Sequence, residues 1–231
     1  MHDFLGPDDW TAVFLSLRIA IVALLGSLPF GILVAYALAR WHFPGKTLVT
    51  ALIYLPLVLP PVVTGYMLLI GFGRRGVFGQ VLADLGIVLS FRWTGAALAC
   101  AIMGFPLMVR AMRLSFEAID PNLEKAASTL GANPVVRFLL VSLPLAFPGI
   151  VVGATLSFAR ALGEFGATIT FVSNIPGETQ TISALIYTYT QVPGGDASAL
   201  HLTLVSLLIA AVAIVASEII QARGEKRLAR G

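Results

Sequence analysis

The clearest candidates for a chemical role in this 231-residue chain are Arg160 and Glu164, two ionisable residues in an apolar stretch. Four residues apart on a helix, the two side chains share one face and can form an ion pair. Ionisable residues at membrane depth often mark a transport pathway, although a purely structural pair explains the spacing equally well. Gly163 and Gly166 flank the glutamate and permit close backbone approach or local unwinding.

The other reactive side chains do not form an enzyme site. Residues 45–47, Gly-Lys-Thr, match the end of a phosphate-binding loop, but the required upstream glycine is Arg40 and no strand precedes it. We therefore expect this chain to bind no ATP and to carry no catalytic residue. The three histidines are scattered, with no second ligand at helical or hairpin spacing, so we expect no metal site.

A polar segment, residues 120–140, carries signals for two short helices and is called the hook below. Asp120 and Pro121 suit the cap and first position of a helix, and Glu124 places an acid in its first turn. Gly131 supplies a stop, after which an Asn-Pro pair supplies a second cap and start. A hook between apolar runs indicates a binding surface for another protein.

Composition places these residues in an all-α integral membrane protein, because 58% of the chain is hydrophobic and only 12% is charged. Soluble domains carry about 25% charged residues. Apolar runs of about 20 residues predict membrane spans. We predict a tail at residues 1–10, a transmembrane domain at 11–221 and a basic tail at 222–231. The predicted spans are about residues 11–39, 48–70, 94–112, 143–169 and 200–220.

The distribution of lysine and arginine predicts the orientation. Ten of these residues flank the predicted spans on the side of the hook and the C-terminus, against three on the other side. Positive charge favours the cytoplasmic side. We therefore expect the N-terminus outside and the hook in the cytoplasm. The net charge of +3 follows from these loops and does not indicate nucleic acid as a partner.

Prolines and neutral polar residues distinguish the spans from simple anchors. Pro56, Pro60 and Pro61 interrupt the second span, and each interior proline removes a backbone hydrogen bond. Such kinks fit either a pathway or packing alone. Residues 164–191 are rich in Thr, Ser, Asn and Gln, which makes them too polar to face lipid. This segment should line the outer end of a passage, re-enter the membrane or form an external helix.

The hook also resembles the EAA motif in permease subunits of type I ABC importers. The pattern is Ala126-Ala127, three residues, Gly131, nine residues, and then Val141–Pro144. The family's acidic position falls on Lys125, Glu124 stands one residue earlier, and valine replaces the usual isoleucine. The likeness continues over nearly the whole chain, and is closest to molybdate permeases, in residues 43–46, 55–65, 73–76, 105–110 and 158–181.

The resemblance implies a homodimer in the bacterial cytoplasmic (inner) membrane, with the pathway at the dimer interface. Two copies of a separate ATPase would carry ATP and Mg, and an extracytoplasmic molybdate-binding protein would deliver substrate. A coupling helix at about residues 122–132, with Leu130, Gly131 and Ala132 at its tip, would dock on the ATPase. The implied coupling residues are Glu124, Lys125, Ala126, Ala127, Leu130, Gly131, Ala132, Leu143 and Pro144.

The candidate pathway or gate comprises Arg160, Glu164, Phe165, Gly166, Thr168, Thr170 and Asn174. No Lys or Arg occurs from residue 163 to 199. Neutral hydroxyl and amide groups there would hold a doubly charged oxyanion weakly enough to release it.

Three alternatives remain open at this point. A tungstate or sulfate permease of the same family would share these features. An ion-coupled secondary transporter would also have broken helices, but only Glu164 is a serious coupling carboxylate and the hook would have no purpose there. A purely structural membrane protein would leave oxyanion uptake intact on deletion.

Overall fold

The computed structural model describes residues 4–228, with side chains described as far as residue 223, and this part of the chain is helical without strands. A π-helix spans Phe138–Ser142. The α-helices are α1 (Pro7–Arg40), α2 (Lys46–Val58), α3 (Pro61–Phe72), α4 (Val77–Asp84), α5 (Trp93–Ala118), α6 (Pro121–Thr129), α7 (Pro134–Arg137), α8 (Leu143–Leu145), α9 (Phe147–Leu162), α10 (Gly166–Val172), α11 (Ile182–Thr190) and α12 (Asp196–Leu228).

Helices α1, α5 and α9 form the centre of the molecule, with α5 packed between the other two. One buried cluster joins the first half of α1 and the first half of α5 to α10, and includes Ile19, Cys100 and Phe171. A second cluster, near the hook, includes Leu38 and Phe116. Small residues dominate the first cluster, which lets the helix backbones approach closely in a membrane.

Residues 48–70, predicted as one crossing kinked at its prolines, form two helices. These are α2 and α3, whose axes differ by 113°. Pro60 and Pro61 stand at the start of α3 and have no N–H to extend the hydrogen bonds of α2. The structure therefore turns the chain sharply where the sequence suggested only a kink.

The helices around the predicted crossing at residues 143–169 have other bounds than that prediction. The helical segment begins earlier, at Pro134, passes through the π-helix, bends by 70° before α9 and ends at Leu162. Pro144 and Pro148 withhold backbone donors along this segment, and α10 forms a separate short helix after the break. Within residues 4–228, three helices are long and apolar enough to cross a membrane, and each bent pair can supply one more crossing.

Candidate functional site

The hook folds as its capping residues predict. The Asp120 carboxylate accepts a hydrogen bond from the Asn122 N–H at 2.9 Å, and α6 follows. Gly131 ends this helix with a φ of +86°, a conformation that L side chains rarely adopt. The side-chain oxygen of Asn133 then accepts from the Val136 N–H at 2.9 Å and starts α7. The predicted pair of capped helices with a glycine turn is confirmed.

The hook projects an apolar tip away from the helical core. None of the residues of α6 is buried, and Leu130, directly after the helix, is 89% exposed. Leu123 and Val135 expose large apolar side chains on the same segment. Such an exposed apolar surface beside polar residues is typical of a protein–protein contact.

The predicted coupling residues divide between two environments. Lys125, Ala126, Leu130 and Gly131 are exposed, whereas Ala127, Ala132, Leu143 and Pro144 are half-buried. Glu124 differs from all of them because its carboxylate contacts other helices. Its Oε1 atom accepts from Arg40 Nε at 3.1 Å and from Ser142 Oγ at 2.8 Å. Sequence reasoning missed both partners, since nothing in their local pattern pairs them with Glu124.

The predicted ion pair between Arg160 and Glu164 is confirmed. Arg160 Nη2 lies 2.8 Å from Glu164 Oε2, and the glutamate side chain is only 1% exposed. Its other oxygen accepts from the Ala167 N–H at 2.8 Å and so caps the first turn of α10. The ion pair and this cap therefore connect α9 to α10 across the residues that separate them.

Two glycines permit α10 to cross α3 at close range. A Cβ on Gly65 would lie 2.5 Å from the Ala167 carbonyl oxygen, and one on Gly166 would lie 2.7 Å from the Pro61 Cβ. The interruption between α2 and α3 and the interruption between α9 and α10 therefore lie at one contact, called the α3–α10 crossing. This contact lies beside the buried Glu164. This contact brings the interruption of the predicted span at residues 48–70 next to the α9–α10 interruption in the predicted span at residues 143–169.

The polar groups that follow are already engaged within the protein. Thr168 Oγ1 donates to the Phe165 carbonyl and Thr170 Oγ1 to the Gly166 carbonyl, both at 2.9 Å. In this conformation neither hydroxyl has a proton left to donate to an anion. Asn174 donates through Nδ2 to Thr188 at 3.0 Å, while its buried Oδ1 has no hydrogen-bond partner within the described part of the chain.

Helix α11 is anchored to the N-terminal end of α1. The Ile182 N–H donates to Ser16 Oγ at 2.8 Å, and the Tyr189 hydroxyl donates to Asp9 Oδ1 at 2.8 Å. Desolvation and the bond to Asp9 raise the pKa of Tyr189 to about 12. Asp9 and Ser16 were not predicted from the sequence, because both lie in α1, far along the chain from their partners. The polar segment therefore forms a short helix against α1.

The side chains that the structure describes hold no metal cluster, and the cavity between α1, α2 and α5 does not suit an oxyanion. Residues 4–223, whose side chains the structure describes, contain no cluster of three His, Cys, Asp or Glu that could hold a metal. A cavity of about 550 Å³ lies between α1, α2 and α5, but the side chains that line it are uncharged and nearly all apolar. A dianion would lose its hydration there without compensation.

Comparison with known proteins identifies the class. The chain belongs to the family described as binding-protein-dependent transport system inner membrane component, whose model matches residues 27–230. It is 54% identical over 215 residues to the molybdenum transport system permease protein ModB of Escherichia coli K12, covering 93% of this chain and 94% of the relative. The corresponding protein of Haemophilus influenzae is 49% identical over 222 residues, covering 96% and 97%.

More distant proteins share the sequence pattern or the fold. The sulfate transport system permease protein CysT of Salmonella typhimurium is 38% identical over 206 residues, covering 88% of this chain and 74% of the relative. A bacterial alginate ABC transporter, crystallised with its alginate pentasaccharide-bound periplasmic protein, superposes with a TM-score of 0.76. That match has 18% identity and covers 95% of this chain and 80% of the other. It shows the fold shared with ABC importer permeases.

Proposed function

We propose that the chain is the membrane permease subunit of an ATP-driven importer of molybdate. The observation that carries this proposal is the exposed tip of the hook, Leu130, in a member of a transport family. An apolar tip that none of the described residues covers suits docking on a partner. The 54% identity to a molybdenum permease favours molybdate over sulfate, for which the cited relative has 38%. Tungstate remains the closest alternative because its charge and shape match those of molybdate.

The proposed topology has five crossings, with the bent pairs counted as one each, the N-terminus outside and the C-terminus inside. The length of α5 supports a topology in which Arg92 and the hook lie on opposite sides of the membrane. This helix has 26 residues and spans about 39 Å between Arg92 and the hook. The ten-to-three excess of Lys and Arg then assigns the hook to the cytoplasm.

The proposed assembly is a homodimer with two ATPase subunits and an external molybdate-binding protein. ATP and Mg bind to the ATPase, and this subunit is not an enzyme. Closure of the ATPase dimer would move the two hooks together and turn the permease outward, and release after hydrolysis would turn it inward. The α3–α10 crossing is the proposed gate, because the interruption between α2 and α3 and the interruption between α9 and α10 lie together there.

The gate proposal covers the residues near this crossing, Arg160, Glu164, Phe165, Gly166, Thr168, Thr170 and Asn174. Their described contacts suggest that they shape the gate, because Glu164 caps α10 and both threonine hydroxyls bind carbonyls. The Oδ1 atom of Asn174 has no partner among the described residues and is free to accept one more hydrogen bond. The variant combining Thr168→Val and Asn174→Leu should reduce molybdate uptake. Unchanged uptake would remove these two residues from the pathway.

Reconstitution tests the function directly. We expect proteoliposomes containing this chain, a partner ATPase and a molybdate-binding protein to accumulate molybdate only with ATP, and tungstate to compete better than sulfate. Collapse of the proton gradient should not stop uptake. Uptake that follows the gradient without ATP would instead establish an ion-coupled secondary transporter. That rival is disfavoured because Glu164, its best coupling carboxylate, already binds Arg160 and the Ala167 N–H.

A further inference from the structure

Glu124 fixes the hook to the rest of the molecule. Within the described residues, it makes every side-chain hydrogen bond and ion pair that joins α6 to another element. One oxygen, Oε1, accepts from the Arg40 guanidinium and from the Ser142 hydroxyl. Side chains from two other parts of the chain, 84 and 18 residues from Glu124, therefore meet at its carboxylate.

Arg40 extends this contact to the segment that precedes α6. Its Nη2 atom donates to the Ile119 carbonyl oxygen at 3.0 Å while Nε binds Glu124. Arg40 is also the last residue of α1, a 34-residue helix that packs along α5. A displacement of α6 that preserves these bonds must therefore displace the end of α1.

Burial makes this ion pair different from an ordinary surface pair. The side chains of Arg40 and Glu124 are 14% and 16% exposed, and Ser142 is completely buried. Shielding from water strengthens the attraction between the charges and makes an unpaired charge costly. The pair between Arg113 and Glu117 is more exposed and lies within α5, so it connects no two elements.

Ser142 places the third contact at an irregular turn. It is the last residue of the π-helix, and the N–H of the following Leu143 bonds to the Phe138 carbonyl. Single π turns within helices are frequent at functional sites. A force on Ser142 therefore acts where the bent segment leading into α9 departs from regular α-helical bonding.

We propose that Arg40, Glu124 and Ser142 form a clamp that transmits movement of the hook to α1 and to the segment leading into α9. The clamp rests on the proposed function, in which an ATPase moves the hook. Leu130 supplies the contact with that partner, and Glu124 passes the displacement inward. Arg40 and Ser142 act as positioning residues that hold the Glu124 carboxylate.

The test measures how many molybdate ions enter per ATP hydrolysed in the reconstituted complex. Arg40→Gln and Glu124→Gln should each lower this ratio by about tenfold, because the first removes the guanidinium donors and the second removes the carboxylate charge that strengthens their hydrogen bonds. The combined variant Arg113→Gln and Glu117→Gln is the matched control, and its ratio should equal that of the wild type. Co-purification with the ATPase reports whether each variant still assembles.

Exchanging the charges of Arg40 and Glu124 distinguishes a clamp inside the subunit from a direct contact of Glu124 with the ATPase. The combined variant Arg40→Glu and Glu124→Arg re-forms the ion pair inside the subunit and should restore most of the coupling ratio. If assembled complexes of this variant stay uncoupled, Glu124 acts on the ATPase itself and the clamp is overturned. Normal coupling in both single variants would also overturn it.

Milder substitutions decide the matter if the charge variants fail to enter the membrane. Ser142→Ala removes one hydrogen bond, and Arg40→Lys keeps the charge while losing the two-pronged contact. Both should reduce the ratio, and wild-type ratios in both would refute the clamp. A wild-type complex whose molybdate uptake needs no ATP would refute the proposed function instead, whatever these variants do.

Discussion

The hook and the α3–α10 crossing are the two regions that the sequence marks for function, and they have opposite surroundings. In the hook no residue of α6 is buried and Leu130 is 89% exposed. At the crossing Glu164 is 1% exposed and Phe171 is completely buried. The comparison indicates that the hook is suited to contact a partner, whereas the α3–α10 crossing is held by contacts within its own chain. Substitutions at the α3–α10 crossing should therefore lower stability more than coupling, whereas those in the hook should lower coupling more than stability.

The largest loss of stability is expected for Glu164→Ala. This change leaves the Arg160 charge without its partner and removes the cap from α10. The free energy of unfolding in detergent should fall by about 3 kcal/mol, as for other broken buried pairs. Glu117→Ala, which removes half of a more exposed pair, should cost less than about 1 kcal/mol. Equal losses in the two variants would contradict the proposed difference between the regions.

A smaller loss is expected for Gly65→Ala at the same crossing. The added methyl group would lie 2.5 Å from the Ala167 carbonyl oxygen, so one of the two helices must shift. Overpacking of this kind costs about 2 kcal/mol. Gly26→Ala is the control, because an added Cβ there would meet no described atom within 4 Å outside the adjoining helix backbone, and it should stabilise α1 by up to about 1 kcal/mol. Thermal unfolding of both variants measures the difference.

In the hook, Gly131→Asp should lose coupling out of proportion to stability. The positive φ of +86° costs a non-glycine residue about 1 kcal/mol, with no steric contact within 4 Å. Hydrolysis stimulated by the loaded binding protein should nevertheless fall by about tenfold, because a charge enters the docking tip. Gly86→Asp has a similar backbone strain, with φ of +77°, between α4 and α5. Equal stimulation in both variants would argue against coupling at the hook.

The smallest change in stability is expected for Leu130→Ser. An 89% exposed side chain contributes little to folding, so the free energy of unfolding should change by less than about 0.5 kcal/mol. Affinity for the ATPase should fall by about tenfold if this leucine anchors the contact. Val77→Ser, at a position 78% exposed in α4, should change neither quantity. A titration of permease with ATPase measures the affinity.

Local features of both regions were predictable from the sequence, because they depend on neighbouring residues. The caps at Asp120 and Asn133, the turn at Gly131 and the pair between Arg160 and Glu164 all involve residues within four positions. Capping and helical spacing act at this range. Likewise, long apolar runs indicated α1, α5 and α12 without knowledge of their packing.

Contacts between distant residues were not predictable in the same way. Glu124 was expected to face a partner, yet its carboxylate binds Arg40, 84 residues away, and Ser142. The prolines near Pro60 indicated a kink, but the 113° angle depends on how α3 packs against α10. Hydroxyl groups such as Thr168 are polar in the sequence, and only the fold shows that they bind helix carbonyls.

Accessibility of the hook tip tests the central claim most directly. The variant Leu130→Cys, made with the buried Cys100 changed by Cys100→Ser, provides one exposed thiol for a membrane-impermeant maleimide. We predict labelling in inside-out vesicles but not in right-side-out vesicles, and protection of the thiol when the ATPase binds. Labelling from the outside, or labelling that the ATPase does not reduce, would contradict coupling through the hook.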